Sequence, residues 1–460
     1  MSVLFWSIVS AAFIGPGTVT TATKAGVHYN FQLLWTLVFS TFATLMLQEA
    51  SARLAITTKM NLGEAIAKQF EGKRSRFFAL FIIIVAIVLG CAAYEAGNIL
   101  GAVAGLGLIF DIPTYYFVGA IGIMAILVFS LRSVHAIARF MGVIVFLMGI
   151  AFFTTSIMLR PDWSEVLRGS TIPSIPSGSG AGLLILGLIG TTVIPYDLFL
   201  GSGVSDKNQS LQEMRFGLSV AIILGGIISM SIMGVGNAIT EGMSETARLN
   251  MEFSYDLLKN TLELTTGKYA IYIFGFGMFA AGFSSAVTSP LASAITAKSL
   301  FANKRNSHLW KDRAAYFRLV IIGVLSIGLL FGFLQVKPIP AIIVAQAFNG
   351  LILPLIAAFL IYVINDVKIM GYEGLNGWVS NIFMTIIMWV SIVLGFTNIA
   401  KAFTGMLDID IEAADTAFIV PVMTAAFIFT IIIILPIFRR RRKLLLENRK
   451  LKNSEQEPKV

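Results

Sequence analysis

The stretch Gly15-Pro16-Gly17-Thr18 lies inside the first long apolar segment of the chain, and Ile194-Pro195-Tyr196-Asp197 lies inside the sixth. Proline removes a backbone donor and clashes with the preceding turn, whereas glycine permits non-helical backbone. In lipid, peptide groups freed in this way are costly unless they face a cavity or a bound solute. Breaks at matching places in two halves of a chain therefore predict two discontinuous membrane helices and a midplane solute site between inverted repeats.

The alternative is that each proline only kinks a packed membrane helix. Polar side chains gathered at and beside the breaks favour the binding-site interpretation. These side chains are Thr18, Thr20, Thr21, Thr191, Thr192, Tyr196 and Asp197. An aspartate inside a membrane is expensive and is a functional hypothesis by default. Its alternative is that Asp197 reaches water or caps the second half of the sixth helix.

Composition places the whole chain in a membrane. Of its 460 residues 57% are hydrophobic and 13% are charged, whereas soluble domains carry about 25% charged residues. The apolar residues come in runs of about 20, the length that crosses roughly 30 Å of hydrocarbon as a helix. We therefore predict a multi-pass, all-α integral membrane protein whose solvent is the lipid bilayer.

Apolar runs bounded by charged or turn residues predict about twelve membrane helices in one domain spanning residues 1–460. The predicted helices are 4–26, 31–57, 77–106, 113–131, 134–158, 179–204, 215–240, 268–298, 315–335, 341–364, 376–400 and 417–438. The longest gap, 241–268, is too short for a soluble domain, and the polar tail after Arg439 is expected to be disordered or a frayed helix.

The formal charge of +9 comes from short loops and a terminal cluster, which is a topological signal and not a nucleic-acid site. Basic residues follow alternate helices: Lys59, Lys68, Lys73, Arg74, Arg76, Arg132, Arg139, Lys298, Lys304, Arg305, Lys311, Arg313 and the run from Arg439. The intervening loops are acidic or nearly neutral, with Glu241, Glu245, Glu252, Asp256 and Glu263 in one and Asp408, Asp410, Glu412 and Asp415 in another. Both termini are predicted to be cytoplasmic, in the plasma (inner) membrane.

The residue types in the sequence give little support to a catalytic or cofactor-binding function. A single cysteine, Cys91, allows no intrachain disulfide, cysteine metal cluster or redox pair. His28, His135 and His308 fall at helix ends or loops without metal-ligand spacing. With no clustered nucleophile or cofactor motif visible, we predict a protein that is not an enzyme, needs no cofactor and has no evident obligate protein partner.

Two further acids lie inside predicted helices. Glu49 and Arg53 are four residues apart, so they can pair on one helix face. Glu95 has no equally spaced basic partner, which makes it a candidate for a permeation or coupling path. The alternative for Glu95 is a pair with a neighbouring helix, for example through Arg53.

Several ordered segments resemble the natural resistance-associated macrophage protein (NRAMP) metal-ion transporters, and more closely their NRAMP-related branches. The Gly15-Pro16-Gly17-Thr18 break is similar to the family's Asp-Pro-Gly-Asn, and residues 191–200 are similar to its Ala-Val-Val-Met-Pro-His-Asn-Leu-Tyr-Leu. Further similar segments are 47–54 in helix two, 280–285 in helix eight and 346–350 in helix ten. The resemblance covers most of the chain.

The resemblance implies a fold of the amino acid-polyamine-organocation type, with two inverted five-helix repeats and discontinuous helices 1 and 6. The repeats would be about 4–158 and 179–364, followed by accessory helices at 376–438 and a basic tail at 439–460. It also implies a divalent ion held at the two breaks. The matched binding positions are Gly15, Thr18, Thr191, Ile194 and Gln346, to which we add Tyr196 and Asp197; the expected metal ligands are Thr18, Asp197 and Gln346.

The departures from the family fall on its chemistry. Gly15 replaces an Asp, Thr18 an Asn, Ile194 a Met and Tyr196 a His, so that Glu95 is the main matched acid in the membrane. Loss of the thioether weakens a preference for transition metals over hard cations. Loss of the carboxylate and the imidazole removes the obvious proton carriers.

We therefore predict a secondary transporter that moves Mg²⁺ or Mn²⁺ by alternating access, with weak or no proton coupling. The small inorganic cation is its substrate. The alternative is a transporter of a small organic solute on the same fold, since fold does not determine substrate.

Overall fold

A computed structural model describes residues 2–456 except 75, 132, 177–179, 304, 312–313, 373 and 407–415. Side chains are also not described at 183, 340, 343–349, 351, 401–406, 416–417 and 448–456. The regular structure of the described residues is helical, and the all-α prediction is confirmed. Residues used for the charge prediction that lie outside the described part are Arg132, Lys304, Arg313, Asp408, Asp410, Glu412 and Asp415.

Both predicted breaks are present. The first separates α1 (Ser2–Phe13) from α2 (Pro16–Tyr29), which are bent by 66°. The second separates α9 (Ala181–Thr192) from α10 (Pro195–Val204), but residues Leu184–Val204 still run as one span. Each proline occupies the first position of the helix after its break, where no backbone donor is needed.

Each of the other predicted membrane segments coincides with one helix. These are α3 (Leu34–Thr58), α5 (Arg76–Ile109), α6 (Thr114–Phe129), α7 (Val134–Met158), α11 (Leu211–Ile239), α14 (Lys268–Phe301), α15 (Ala315–Phe333), α16 (Pro338–Ile364), α18 (Trp378–Met406) and α19 (Thr416–Gln456). By length and hydropathy alone, eight helices of the described chain could cross a membrane, or nine if the bent pair counts as one span. The helix α3 fails that test because polar residues such as Gln48, Glu49 and Arg53 lie within it.

Five short helices were not predicted. They are α4 (Leu62–Gln69), α8 (Trp163–Thr171), α12 (Glu245–Leu249), α13 (Tyr255–Thr266) and α17 (Val367–Met370). Side-chain caps begin several of them; Asn61 and Glu64 form a reciprocal capping box at α4, for example. Of the two alternatives for the tail, the helical one agrees with the structure, because α19 continues as a helix to Gln456.

The long helices α5 and α14 pack along each other behind the first break. A Cβ atom added at Gly282 would lie 2.5 Å from the backbone nitrogen of Ala102, and one at Gly105 would lie 2.5 Å from that of Phe279. Only glycine permits backbones to approach this closely, as is common between membrane helices. The close contact brings polar groups of both helices next to Gly15.

Ser2 and Arg440 lie at one end of the helix bundle. The Ser2 hydroxyl donates to the carbonyl of Glu213 at 3.1 Å, and Arg440 pairs with Asp366 at 2.8 Å. The short helix α4 joins these two regions, because its residues bond to Lys207 on one side and Asp366 on the other. This end also carries the basic loop after α3, as the charge pattern predicts.

Candidate functional site

At the two breaks, side-chain hydroxyls of each break lie next to backbone carbonyls of the other. Because proline has no N–H, Pro16 and Pro195 each leave the carbonyl four residues earlier without its helical donor. The first of these carbonyls, on Ala12, accepts a hydrogen bond from the Tyr196 hydroxyl at 3.3 Å. The second, on Thr191, faces the Thr18 hydroxyl at 3.5 Å, a long polar contact. The residues around the two prolines therefore meet at one junction.

Neighbouring helices satisfy other carbonyls at the junction. The Ser285 hydroxyl of α14 donates to the Ala11 carbonyl at 3.1 Å. The Thr44 hydroxyl of α3 donates to the Thr192 carbonyl at 3.0 Å. The single Thr18 hydroxyl proton is directed at the Phe13 carbonyl, 2.6 Å away. An ion that entered here would replace hydroxyl donors on these carbonyls.

At Gly15 the space for a side chain is filled by other residues. A Cβ atom there would lie 2.8 Å from the Ser285 hydroxyl and 3.6 Å from the Asn98 side-chain oxygen. The position that carries an acid in the similar family is therefore lined by neutral oxygens from α14 and α5. Our prediction missed Ser285 and Asn98 as site residues. The signal was present for both, since Ser285 ends a matching segment and Asn98 lies one turn after Glu95.

At the second break the site residues are themselves buried. Ile194 is extended, with φ −103° and ψ 125°, and supplies a backbone carbonyl but no sulfur. The Tyr196 ring packs edge-to-face on Tyr94 of α5 with ring centroids 5.8 Å apart. Two aromatic side chains therefore cover the α5 side of the junction.

Asp197 is buried beside helix α3. It is 1% exposed, and no side-chain hydrogen bond caps the start of α10. The alternative that Asp197 reaches water or caps α10 is therefore wrong. The amide of Gln48, equally buried, stands beside it as its hydrogen-bonding neighbour. A carboxylate buried inside a membrane protein is costly, and a cation beside Asp197 would compensate for its charge.

Glu95 is fully buried on α5. One of its carboxylate oxygens accepts a hydrogen bond from the Asn98 amide at 3.3 Å, and the other has no partner in the described part of the chain. Since Asn98 also lies against Gly15, a line of polar groups joins Glu95 to the first break. The sequence predicted Glu95 as a path residue but could not show this connection.

Arg53 does not pair with Glu95. It donates to Glu49 at 3.1 Å, to the Asn376 side chain at 2.6 Å and to the Gly374 carbonyl. The Glu49–Arg53 pair is thus confirmed, and the Glu95–Arg53 alternative is wrong, because the guanidinium nitrogens are taken by Glu49 and by the segment that follows α17.

The remaining predicted ligand is Gln346. Its backbone belongs to α16, but its side chain lies outside the described residues. Within the described part, no group of three or more His, Cys, Asp or Glu side chains could hold a metal ion. The junction offers carbonyl, hydroxyl and amide oxygens, with Asp197 and Glu95 as its nearby acids.

The profile of the family described as natural resistance-associated macrophage protein-like (Nramp) matches residues 7–401. The chain belongs to the Nramp family. Because this is a family of transporters, the prediction of a membrane transporter and not an enzyme is confirmed.

Relatives of this Nramp chain carry informative names. The divalent metal cation transporter MntH of Verminephrobacter eiseniae is 27% identical over 385 residues, which cover 79% of this chain and 81% of that protein. The MntH of Klebsiella pneumoniae is 24% identical over 388 residues, covering 83% and 89%. Both relatives are named for divalent metal transport.

Solved structures share the fold. The manganese transporter of Eremococcus coleocola superimposes with a TM-score of 0.71 at 18% identity, covering 96% of this chain and 94% of that one. A nucleobase-cation-symport-1 family transporter with a bound hydantoin gives a TM-score of 0.53 at 15% identity, covering 96% and 93%. The predicted transporter fold with discontinuous helices is confirmed.

Proposed function

We propose that this Nramp protein moves a divalent cation, Mg²⁺ or Mn²⁺, across the membrane by alternating access. The observation that carries the proposal is that the breaks meet, so that each proline-freed carbonyl faces a hydroxyl from the other break at 3.3–3.5 Å. Carbonyls closed by exchangeable hydroxyls can turn to an ion without leaving unsatisfied groups behind. The names of the relatives support a divalent metal as the substrate.

The proposed ligands are the Thr18 hydroxyl, the Asp197 carboxylate and the Gln346 side chain, together with carbonyls at Gly15, Thr191 and Ile194. All are oxygen donors, and hard cations take oxygen ligands. The absence of sulfur at Ile194 removes the ligand that would favour softer metals. Tyr196 holds the Ala12 carbonyl when no ion is bound.

Proton coupling is weak or absent in this proposal. At the junction, Gly15 and Tyr196 replace residues that would exchange a proton near neutral pH. Glu95 is connected to the first break through Asn98, so it would shape the path of the ion. The repeats at about 4–158 and 179–364 would rock around the junction, while the accessory helices stay in place, with both termini in the cytoplasm.

The test is uptake of Mn²⁺ and Mg²⁺ into proteoliposomes, with and without a pH gradient. We expect uptake above protein-free vesicles, little change with the pH gradient, and at least a tenfold loss in Thr18→Val. The matched control is Thr23→Val in the same helix, because the Thr23 hydroxyl is buried and makes no hydrogen bond with any described group. The proposal would be abandoned if neither metal entered. If metal entry acidified the vesicles, the transport would be proton-coupled, contrary to the proposal.

A small organic solute is the second candidate. The Tyr94–Tyr196 pair beside the break gives the junction an aromatic wall, and a structure of the same fold holds a hydantoin. Uptake of an organic solute in vesicles that exclude both metals would favour this candidate.

A further inference from the structure

A cleft opens between α4, α16 and α19, away from the junction. It has a volume of about 500 Å³. Its walls are almost entirely apolar and come from all three helices. The wall residues used below are Ile66, Phe70, Ala358, Phe359, Ile433 and Ile437. Two of the three helices are membrane segments, so the cleft opens toward lipid.

The mouth of the cleft is cationic. Lys73 and Arg440 line it; the Lys73 ammonium lies 5.3 Å from the centroid of the Phe70 ring, and the Arg440 guanidinium lies 5.3 Å from that of Tyr362. Both side chains therefore lay their stems on aromatic rings and leave their charges at the rim, as basic residues do at membrane interfaces. An apolar cleft that ends at two cations is complementary to a phospholipid, because the cleft suits its acyl chains and the cations suit its phosphate.

Hydrogen bonds hold one side of the mouth in place. Arg440 pairs with the buried Asp366 at 2.8 Å and also bonds to the Tyr362 hydroxyl. Gln69 of α4 donates to Asp366 at 3.1 Å and accepts from Tyr362 at 3.3 Å. The walls of the cleft are thus joined at the rim, and the opening does not depend on a ligand to form.

The charge at the mouth is not neutralised. Asp366 offsets Arg440, but Lys73 is exposed and has no ion pair within the described residues. Lys68, Arg74 and Arg439 are exposed at the same end of the bundle. The site therefore retains net positive charge, which favours an anionic over a zwitterionic headgroup.

We propose that this cleft binds one anionic phospholipid, with an acyl chain between α16 and α19 and the phosphate at Lys73 and Arg440. The lipid would connect α4 to the terminal helix α19. Helix α4 directly follows α3, which packs on α10. The lipid site is distinct from the transport junction, and lipid binding does not rest on the identity of the transported solute.

The test compares purified protein in nanodiscs of phosphatidylcholine alone and of phosphatidylcholine with one part in five phosphatidylglycerol. We expect a higher melting temperature with phosphatidylglycerol, and about one phosphatidylglycerol per chain retained in native mass spectrometry after detergent exchange. Ala358→Trp should fill the cleft and lower the retained lipid at least fivefold. Its control is Ile327→Trp, which adds a similar ring on the exposed face of α15.

A second variant covers the case in which Ala358→Trp does not fold. Lys73→Gln should reduce the preference for phosphatidylglycerol over phosphatidylcholine several-fold, whereas Lys337→Gln, at the other end of α16, should leave it unchanged. Equal stabilisation by both lipids, or unchanged lipid retention in folded Ala358→Trp or in Lys73→Gln, would overturn the proposal.

Discussion

The two breaks solve the same backbone problem in different ways. At the first, α1 and α2 bend by 66°, and the missing side chain at Gly15 lets Ser285 and Asn98 approach the chain. At the second, α9 and α10 stay in one span, and Tyr196 and Asp197 follow Pro195 directly. The polar side chains at Gly15 therefore come from neighbouring helices, whereas those at the second break belong to the residues that directly follow Pro195.

The difference explains why one break cannot be understood alone. The bent break exposes backbone that only other elements can satisfy, and the straight break supplies one of the hydroxyls that do so. In return, the Thr18 hydroxyl of the bent break faces the Thr191 carbonyl at 3.5 Å. Substitutions at Asp197, Tyr196 and Gly15 test this division of roles.

The largest effect is expected at Asp197, the charge of the second break. Asp197→Asn should lower metal uptake at least tenfold, because it removes a carboxylate from the proposed ligands. The same change should raise the melting temperature, because it removes the desolvation cost of a buried charge while keeping the size of the side chain.

Uptake of Mn²⁺ and thermal unfolding of the same preparation measure both effects, with Asp206→Asn in the exposed loop as the control. An Asp197→Asn protein that transports normally would remove this residue from the ion path.

A smaller effect, a loss of folding stability, is expected from a change at Tyr196. Tyr196→Phe keeps the ring on Tyr94 but removes the donor to the Ala12 carbonyl, and an unsatisfied carbonyl costs about 1–3 kcal/mol. The free energy of unfolding in detergent should fall by that amount, and Tyr116→Phe, on an exposed ring, should change it little. If the two variants were equally stable, the breaks would not depend on each other.

The smallest effect is expected at Gly15. Gly15→Ala places a methyl group 2.8 Å from the Ser285 hydroxyl, and overpacking of this kind costs about 1–3 kcal/mol. Uptake should fall a few-fold and recover in Gly15→Ala with Ser285→Ala, because the second change makes room. Absence of recovery would show that the Ser285 hydroxyl is needed for more than filling space.

Prediction from the sequence was strongest for strictly local features. Twelve membrane segments follow from the length of apolar runs, and the breaks follow from the missing donor of proline. The short helices α4, α8, α12 and α13 were missed because their amphipathic turns are brief and lie in polar connections. Asp197 was placed correctly in the second break, but its burial against Gln48 depends on how α3 packs on α10, which no local pattern reports.

The sequence by itself determined that this chain lives in lipid, where its helices lie and where two of them must open, because bilayer thickness and proline chemistry act on a few neighbouring residues. Only the tertiary structure decided which hydroxyl meets which freed carbonyl. Thr18 and Thr191 are 173 residues apart, and their meeting depends on the close packing of many helices at once. For the same reason, Ser285 and Asn98 became part of the junction only in three dimensions.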